Sequence, residues 1–257
     1  MIKIQRLNMD NSWLLTVDTC RLLIDPWLMG VEVDFFPWFN TQWHKTPPIA
    51  LAEIPEYDAV LITQKYPDHF HEETLKKLRP KKIIAPKSIE KRLRKMMPES
   101  EIIGLDKQNS LTEVAGVKIQ FLNTARKIDP IYDAFLLDNG KKSVFLATHG
   151  FTPSLEQVKQ ISQASPCALL VNPFNHYELP VFLGGVVSPG LEGVKQLCQL
   201  LQPEKIVATH DEDKHAKGLV SKFAKITPAG TDHELAQLPW LSNRLVHLSD
   251  YQPTLIA

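Results

Sequence analysis

With 257 residues, 29 of them basic and 29 acidic, the chain is long enough for a compact fold to bury roughly three quarters of its unfolded surface, and it carries no net charge. That balance excludes a global field drawing nucleic acid or an anionic membrane, and the length is expected to form one domain over 1–257. Cys20, Cys167 and Cys198 are odd in number and lie in or beside apolar runs, which suits buried thiols in a reducing compartment better than a disulfide frame or a thiolate zinc site. The N-terminus lacks a charged region followed by an apolar run, and no apolar segment reaches the ~20 residues of a membrane span. A cytoplasmic location is expected, or an organellar one if a transit peptide has been removed.

Residues 2–7 alternate apolar and polar, and 13–17 and 21–25 are mostly apolar, so three antiparallel strands are expected, the third closing at Asp25 before Pro26. Residues 26–56 look irregular and carry Trp27, Phe35, Phe36, Trp38, Phe39 and Trp43 among several prolines. Such a loop reads as an ordered flap, its aromatics either packing onto the domain or walling a site for an apolar ligand, with Trp38 as the candidate contact. A buried strand at 59–62 follows, then a helix at 72–78, a strand at 82–85, a basic helix at 88–97 and a strand at 101–105. Strands at 117–122 and 134–138 come next, the second turning at Asn139-Gly140 into 143–147. The rest alternates: helix 154–162, strand 168–172, a Gly/Pro loop 173–189, helix 191–201, strand 205–209, a helix near 213–223 and a last strand at 245–248. A β-rich first half followed by alternating helices and strands predicts two mixed sheets packed face to face with helices outside, a four-layer αββα sandwich of the α/β class.

The chemistry centres on Ala59 to His71, AVLITQKYPDHFH, where an apolar strand runs into a polar loop before a helix. Loops of this kind carry the sites of α/β sheets. Asp68 followed by His69 also occurs where neither binds anything, the aspartate capping the next helix and the histidine hydrogen-bonding locally. Downstream, His210 ends the strand KIVAT, and the HDEDKH run after it would put Asp211 and His215 on one face if it entered a helix.

This loop, with LLIDPWL upstream and KIVATHDED downstream, resembles the metallo-β-lactamase superfamily; 46–68 resembles the approach to the metal loop in its phospholipase-D-like and ascorbate-lactonase-like branch, and 189–210 the helix and strand that deliver the family's last metal ligand. The resemblance implies the αββα fold and a hydrolase ancestry. It also implies two metal ions: the first on two early histidines of His-x-His-x-Asp-His and a third from a later loop, the second on the motif's Asp-His pair and a C-terminal histidine, with an aspartate bridging both. Here Gln64 and Tyr66 replace the first two histidines, 123–127 holds no third, and Thr148 stands at the bridge if Gly150 marks the register. An amide and a phenol are poor substitutes for imidazole. Asp68, His69 and His210 remain at family positions for the second ion, and His149 is placed to add a fourth ligand. Asp25, which the family keeps behind the ligands, would hydrogen-bond His69 with or without metal.

At most one metal ion, zinc or iron, is therefore expected, or none. Two readings follow: a metal-free descendant that binds a ligand or scaffolds a partner, favoured by the lost ligands, or a mono-metal hydrolase of an ester, lactone or phosphodiester using Asp68, His69 and His210. Asp68, Lys65 and Tyr66 are the candidate catalytic groups, Lys65 and Tyr66 being suited to an anionic group, and Trp38, Asn175 and His176 the candidate substrate contacts. The expected partner is a small molecule, anionic or apolar-tailed. Nucleic acid is not expected as a substrate, since the neutral chain attracts phosphate only at its 87–95 helix.

Overall fold

The apolar runs become the strands of two mixed sheets in a computed structural model of the protein, which describes residues 1–124, 132–211 and 214–257. The seven-stranded sheet runs, edge to edge, Thr254–Leu255, Ile2–Arg6, Trp13–Val17, Cys20–Ile24, Ala59–Leu61, Lys82–Pro86 and Glu101–Leu105. Its first four strands are antiparallel and the rest parallel to Cys20–Ile24. The six-stranded sheet runs Lys205–Thr209, Cys167–Pro173, Ser143–Leu146, Ala134–Asp138, Val117–Leu122 and Leu111–Val114. Its first three are parallel and the others antiparallel.

Why these segments read as unbroken apolar runs is explained by burial on both faces. Along Ala134–Asp138, Phe135 and Leu137 enter the layer between the sheets, while Ala134 and Leu136 face the helices outside. Leu22 and Ile24 likewise join Leu61 and Ile84 in the central layer, whereas Leu23, Val60 and Ile83 pack under the helices Glu72–Leu78 and Lys87–Met96. Helices Leu155–Ser162 and Leu191–Leu201 cover the other sheet, the former started by a Ser154–Gln157 capping box. The four expected layers are present. No helix among the described residues is long and apolar enough to cross a membrane.

Four expectations are corrected. The flap is not irregular throughout: Glu32–Asp34 and Asn40–Trp43 pair as a hairpin and His215–Lys217 adds a third strand. The single helix expected near 213–223 is instead that strand followed by the short helix Leu219–Phe223, with residues 212 and 213 outside the described ones. Gly218 separates them at φ +119, where an added Cβ would lie 2.6 Å from the Phe39 carbonyl oxygen. At the C-terminus, 245–248 contributes one bridge, Leu245 to Ile206, and the strand that pairs with Ile2–Arg6 is Thr254–Leu255. The late Gly/Pro loop also contains strands, His176–Glu178 and Val186–Pro189.

Because Phe135 is fully buried between the sheets with its ring 5.2 Å from that of Phe121, Phe135→Ala should destabilise the protein by about 3–5 kcal/mol. Lys142→Ala, which removes an exposed ion pair with Glu204, should cost less than about 1 kcal/mol. Urea unfolding of the two variants checks the contrast, and equal shifts would contradict the placement of the core.

Candidate metal centre

The carboxyl ends of parallel strands from both sheets meet at one place. Cys20–Ile24 delivers Asp25, Ala59–Leu61 leads into Thr63 to His69, Ser143–Leu146 leads to Thr148 and His149, and Lys205–Thr209 delivers His210. Asp25 and His210 both adopt left-handed backbone conformations, φ 44° and 52°, which non-glycine residues hold only where the surroundings over-determine them. Here the amide of Asp25 donates to the Leu61 carbonyl and that of His210 to the Asp10 carbonyl, each at 3.0 Å. After His149, Gly150 takes φ +98 and lies so close to Pro189 that a Cβ would approach its ring to 2.9 Å, so this turn needs glycine. In the motif loop the amides of His69 and Phe70 both donate to the Tyr66 carbonyl. The following helix is capped by His71, whose Nδ1 accepts from the Thr74 amide, and not by Asp68.

Asp68, His69, His149 and His210 bring one donor atom each to within 4.8 Å of the others. His69 Nε2 lies 2.9 Å from His149 Nε2 and 3.5 Å from Asp68 Oδ2, and the His149 and His210 rings stack at 4.7 Å. Behind His69, Nδ1 meets Asp25 Oδ2 at 2.8 Å, and the same fully buried carboxylate accepts from Asn11 Nδ2, the Thr63 amide and the Thr63 hydroxyl. His210 Nδ1 faces Asp10 Oδ1 at 3.2 Å, and Asp10 Oδ2 accepts from Lys214 Nζ at 2.9 Å. A proton on Nδ1, donated to Asp10, leaves the lone pair on His210 Nε2, a buried nitrogen without a hydrogen-bond partner among the described residues. Three imidazoles, one carboxylate and an orphaned ring nitrogen fit a single zinc-like ion, with Asp25 and Asp10 as the carboxylates that hold two of the rings.

The protonation states diverge across the cluster. Burial would depress the His69 ring, but Asp68 and Asp25 outweigh it and raise its pKa. Burial, together with the neighbouring rings and Lys214, holds His149 well below the usual imidazole range. In the metal-free protein this favours a charged His69 donating from Nδ1 to Asp25 and from Nε2 to a neutral His149. Burial also opposes the charges of Asp10 and Lys214, yet their mutual attraction drives the Asp10 carboxyl down and the Lys214 ammonium up. Glu32 goes the other way, pushed well up by burial and by the Asp68 charge, and Asp34 is also raised by burial.

The positions where the family resemblance implies another ion are occupied by other bonds. Gln64 Nε2 donates to the Asp133 carbonyl at 3.2 Å, Asn123 Nδ2 lies 3.4 Å from Asp133 Oδ1, and Thr148 Oγ1 lies 3.2 Å from Thr63 Oγ1. The remainder of the expected third-ligand stretch, 125–127, lies outside the described residues. Lys65 is exposed with its ammonium 5.2 Å from the Tyr66 ring centroid. Trp38 is 65% exposed at the flap tip, stacked on Phe36. Asn175 Oδ1 accepts from the Ala229 amide, and His176 sits in a strand with Nε2 3.9 Å from Glu178. Asp211 and His215 do not form the helical pair considered from the sequence: Asp211 binds Arg6, and His215 lies on Trp43. Asp10, Asn11, Glu32 and Lys214 were missed, the first two because a buried polar turn between strands has no local signature.

Removing the carboxylate behind His69 should show in its titration. Asp25→Asn is expected to lower the His69 midpoint in metal-free protein, read by the imidazole proton signals, and an unmoved midpoint would contradict the assignment. The sign for stability follows. A His69 pKa raised above the usual 6.5 contributes stability that is full below about pH 6.5 and is lost as pH rises through the folded value.

Residues 8–210 match the family model described as a beta-lactamase superfamily domain. An isothiocyanate hydrolase from Delia radicum gut bacteria has the same fold, with a TM-score of 0.67 at 17% identity over 98% of each chain. A possible metal-dependent hydrolase from Veillonella parvula gives 0.68 at 14% over 99% of this chain and 98% of its own, and a metallo hydrolase from Ignicoccus hospitalis gives 0.62 at 16% over 98% and 97%. Identities this low speak for the fold alone. No curated protein sequence matches the chain. A family match over most of the chain, on this fold and around this histidine cluster, makes the protein a member of the beta-lactamase superfamily.

Proposed function

We propose that this is a hydrolase working with a single divalent ion, zinc or iron, held by Asp68, His69, His149 and His210 within one domain over 1–257. The observation that carries the reading is the convergence of those four donors while Gln64 and Thr148, at the positions of the other ion, are tied to neighbours. The metal-free reading accounts for Gln64 and Thr148 but leaves His210 Nε2 buried and unpartnered. A bound ion would supply a Lewis acid and lower the pKa of water at the centre.

The chain's own residues do the rest. Asp25 and Asp10 fix which nitrogen of His69 and His210 carries the proton, and Thr63 and Asn11 fix Asp25 in turn. To hold the ion, His69 Nε2 would have to give up its proton. Lacking a second cation to clamp the leaving oxygen, such an enzyme should be slow or favour an activated bond. An ester, lactone or phosphodiester is the substrate class proposed, with Trp38, Asn175 and His176 as candidate contacts and Lys65 and Tyr66 at the loop's outer edge.

Hydrolysis of nitrophenyl ester, lactone and nitrophenyl phosphodiester probes, before and after chelation and zinc return, tests the reading. Turnover should vanish with chelator, return with zinc, and fall to background in His69→Ala, whereas turnover unaffected by chelator would overturn it. Zinc should bind more tightly as pH rises towards the raised His69 pKa, because below it the ion must displace a proton. Calorimetry in two buffers of different ionisation heat measures that release, and an affinity flat across this range would contradict it. Asp10→Asn should weaken zinc about 10–100-fold without removing a ligand.

A further inference from the structure

We propose that the flap face beside the histidine centre recognises the ammonium group of a small amine substrate, with Glu32 and Asp34 as its counter-charges. This rests on the centre being a substrate site, though not on the ion being bound.

Glu32 and Asp34 stand two apart on one strand of the flap hairpin, so their side chains share a face. Glu32 is only 3% exposed, yet its Oε2 has no hydrogen-bond partner and it forms no ion pair among the described residues. Asp34 accepts one bond, from Asn40 Nδ2 at 2.8 Å. Strand pairing sets Glu32 opposite Gln42 and Gln42 opposite Ala216, two residues after the Lys214 that binds Asp10, so the flap hairpin runs beside the histidine centre, and both acids feel the charge of Asp68 there. A carboxylate this buried without a partner is costly to keep, and it marks either a protonated acid or a missing cation.

Two cations could answer it, and neither does. Lys214 is near enough for its charge to be felt, but its ammonium is committed to Asp10 at 2.9 Å and lies 5.5 Å from the Trp27 ring centroid. An ion at the centre would engage Asp68 and the three histidines, a donor set that excludes Glu32 and Asp34. What fits is a cation larger than a bare metal, able to give several N–H bonds at once, as an alkylammonium does with three. An anionic group set against Glu32 and Asp34 would meet like charge with Asp68 close by, so the anionic end of a phosphodiester, and any role of Lys65 towards it, would lie away from this face. The hydrocarbon part of an amine has a surface ready: Phe36 and Trp38, just beyond Asp34, stack at 5.8 Å and stay 57% and 65% exposed.

Calorimetry with hexylammonium, hexanol and hexanoate on zinc-loaded and chelated protein tests the assignment. Hexylammonium should bind at least about tenfold more tightly than hexanol, with hexanoate weaker still. Glu32→Gln should remove that preference while leaving hexanol affinity and the zinc-to-protein ratio as they were. Should Glu32→Gln fail to fold, Asp34→Asn at the half-buried neighbour carries the same expectation, and the comparison of the three probes on the unmodified chain needs no variant. Equal affinity for hexylammonium and hexanol, or a preference that survives both substitutions, would overturn the proposal. A preference for hexylammonium in protein that takes up no zinc supports the ammonium site while defeating the single-ion reading, and one zinc per chain with no such preference does the reverse.

Discussion

The carboxylate of Asp25 is the constraint on which the rest of the centre depends. It is fully buried, which is affordable only because it collects bonds from His69, Asn11 and both donors of Thr63. Through Thr63 it reaches Thr148 on the other sheet, and through Asn11 it reaches the Thr209 hydroxyl, one residue before His210. Strand ends from both sheets are thereby pinned to a single anion. The left-handed backbone of Asp25 and of His210 is held by this network rather than by local preference.

That network is built around His69 and His210. It lies behind them, on the side of the centre where the four candidate donors converge. The positions implied for another ion are hydrogen-bonded too, Gln64 to the Asp133 carbonyl and Thr148 to Thr63, which is itself part of the network. Gln64 stands where the family motif has an imidazole and Thr148 where it has the bridging carboxylate, and each finds a hydrogen bond in place, so no buried polar atom of either is stranded. Among the described residues His210 Nε2 is stranded, and this asymmetry is the physical argument for one ion.

Most of the framework could be read from the sequence because strands buried on both faces leave continuous apolar runs, and Asn139-Gly140 marked its hairpin directly, with Gly140 at φ +79. The flap hairpin was missed because prolines and aromatics surround two strands too short to show alternation. The candidate ligands Asp68, His69 and His210 were legible through the family motif, and His149 through its place beside Thr148. Asp10 and Lys214 were not, since they meet across 204 positions of sequence and neither sits in a motif. Glu32 was hidden for a related reason: a lone acid in an aromatic loop looks solvated until the fold buries it.

The account stands or falls on the number of ions at the centre. Crystals of zinc-supplemented protein, measured on both sides of the zinc absorption edge, report it directly in an anomalous difference map. One peak among Asp68, His69, His149 and His210 is the predicted result. A second peak a few ångströms away towards Gln64 and Thr148, or no peak at all, would contradict it.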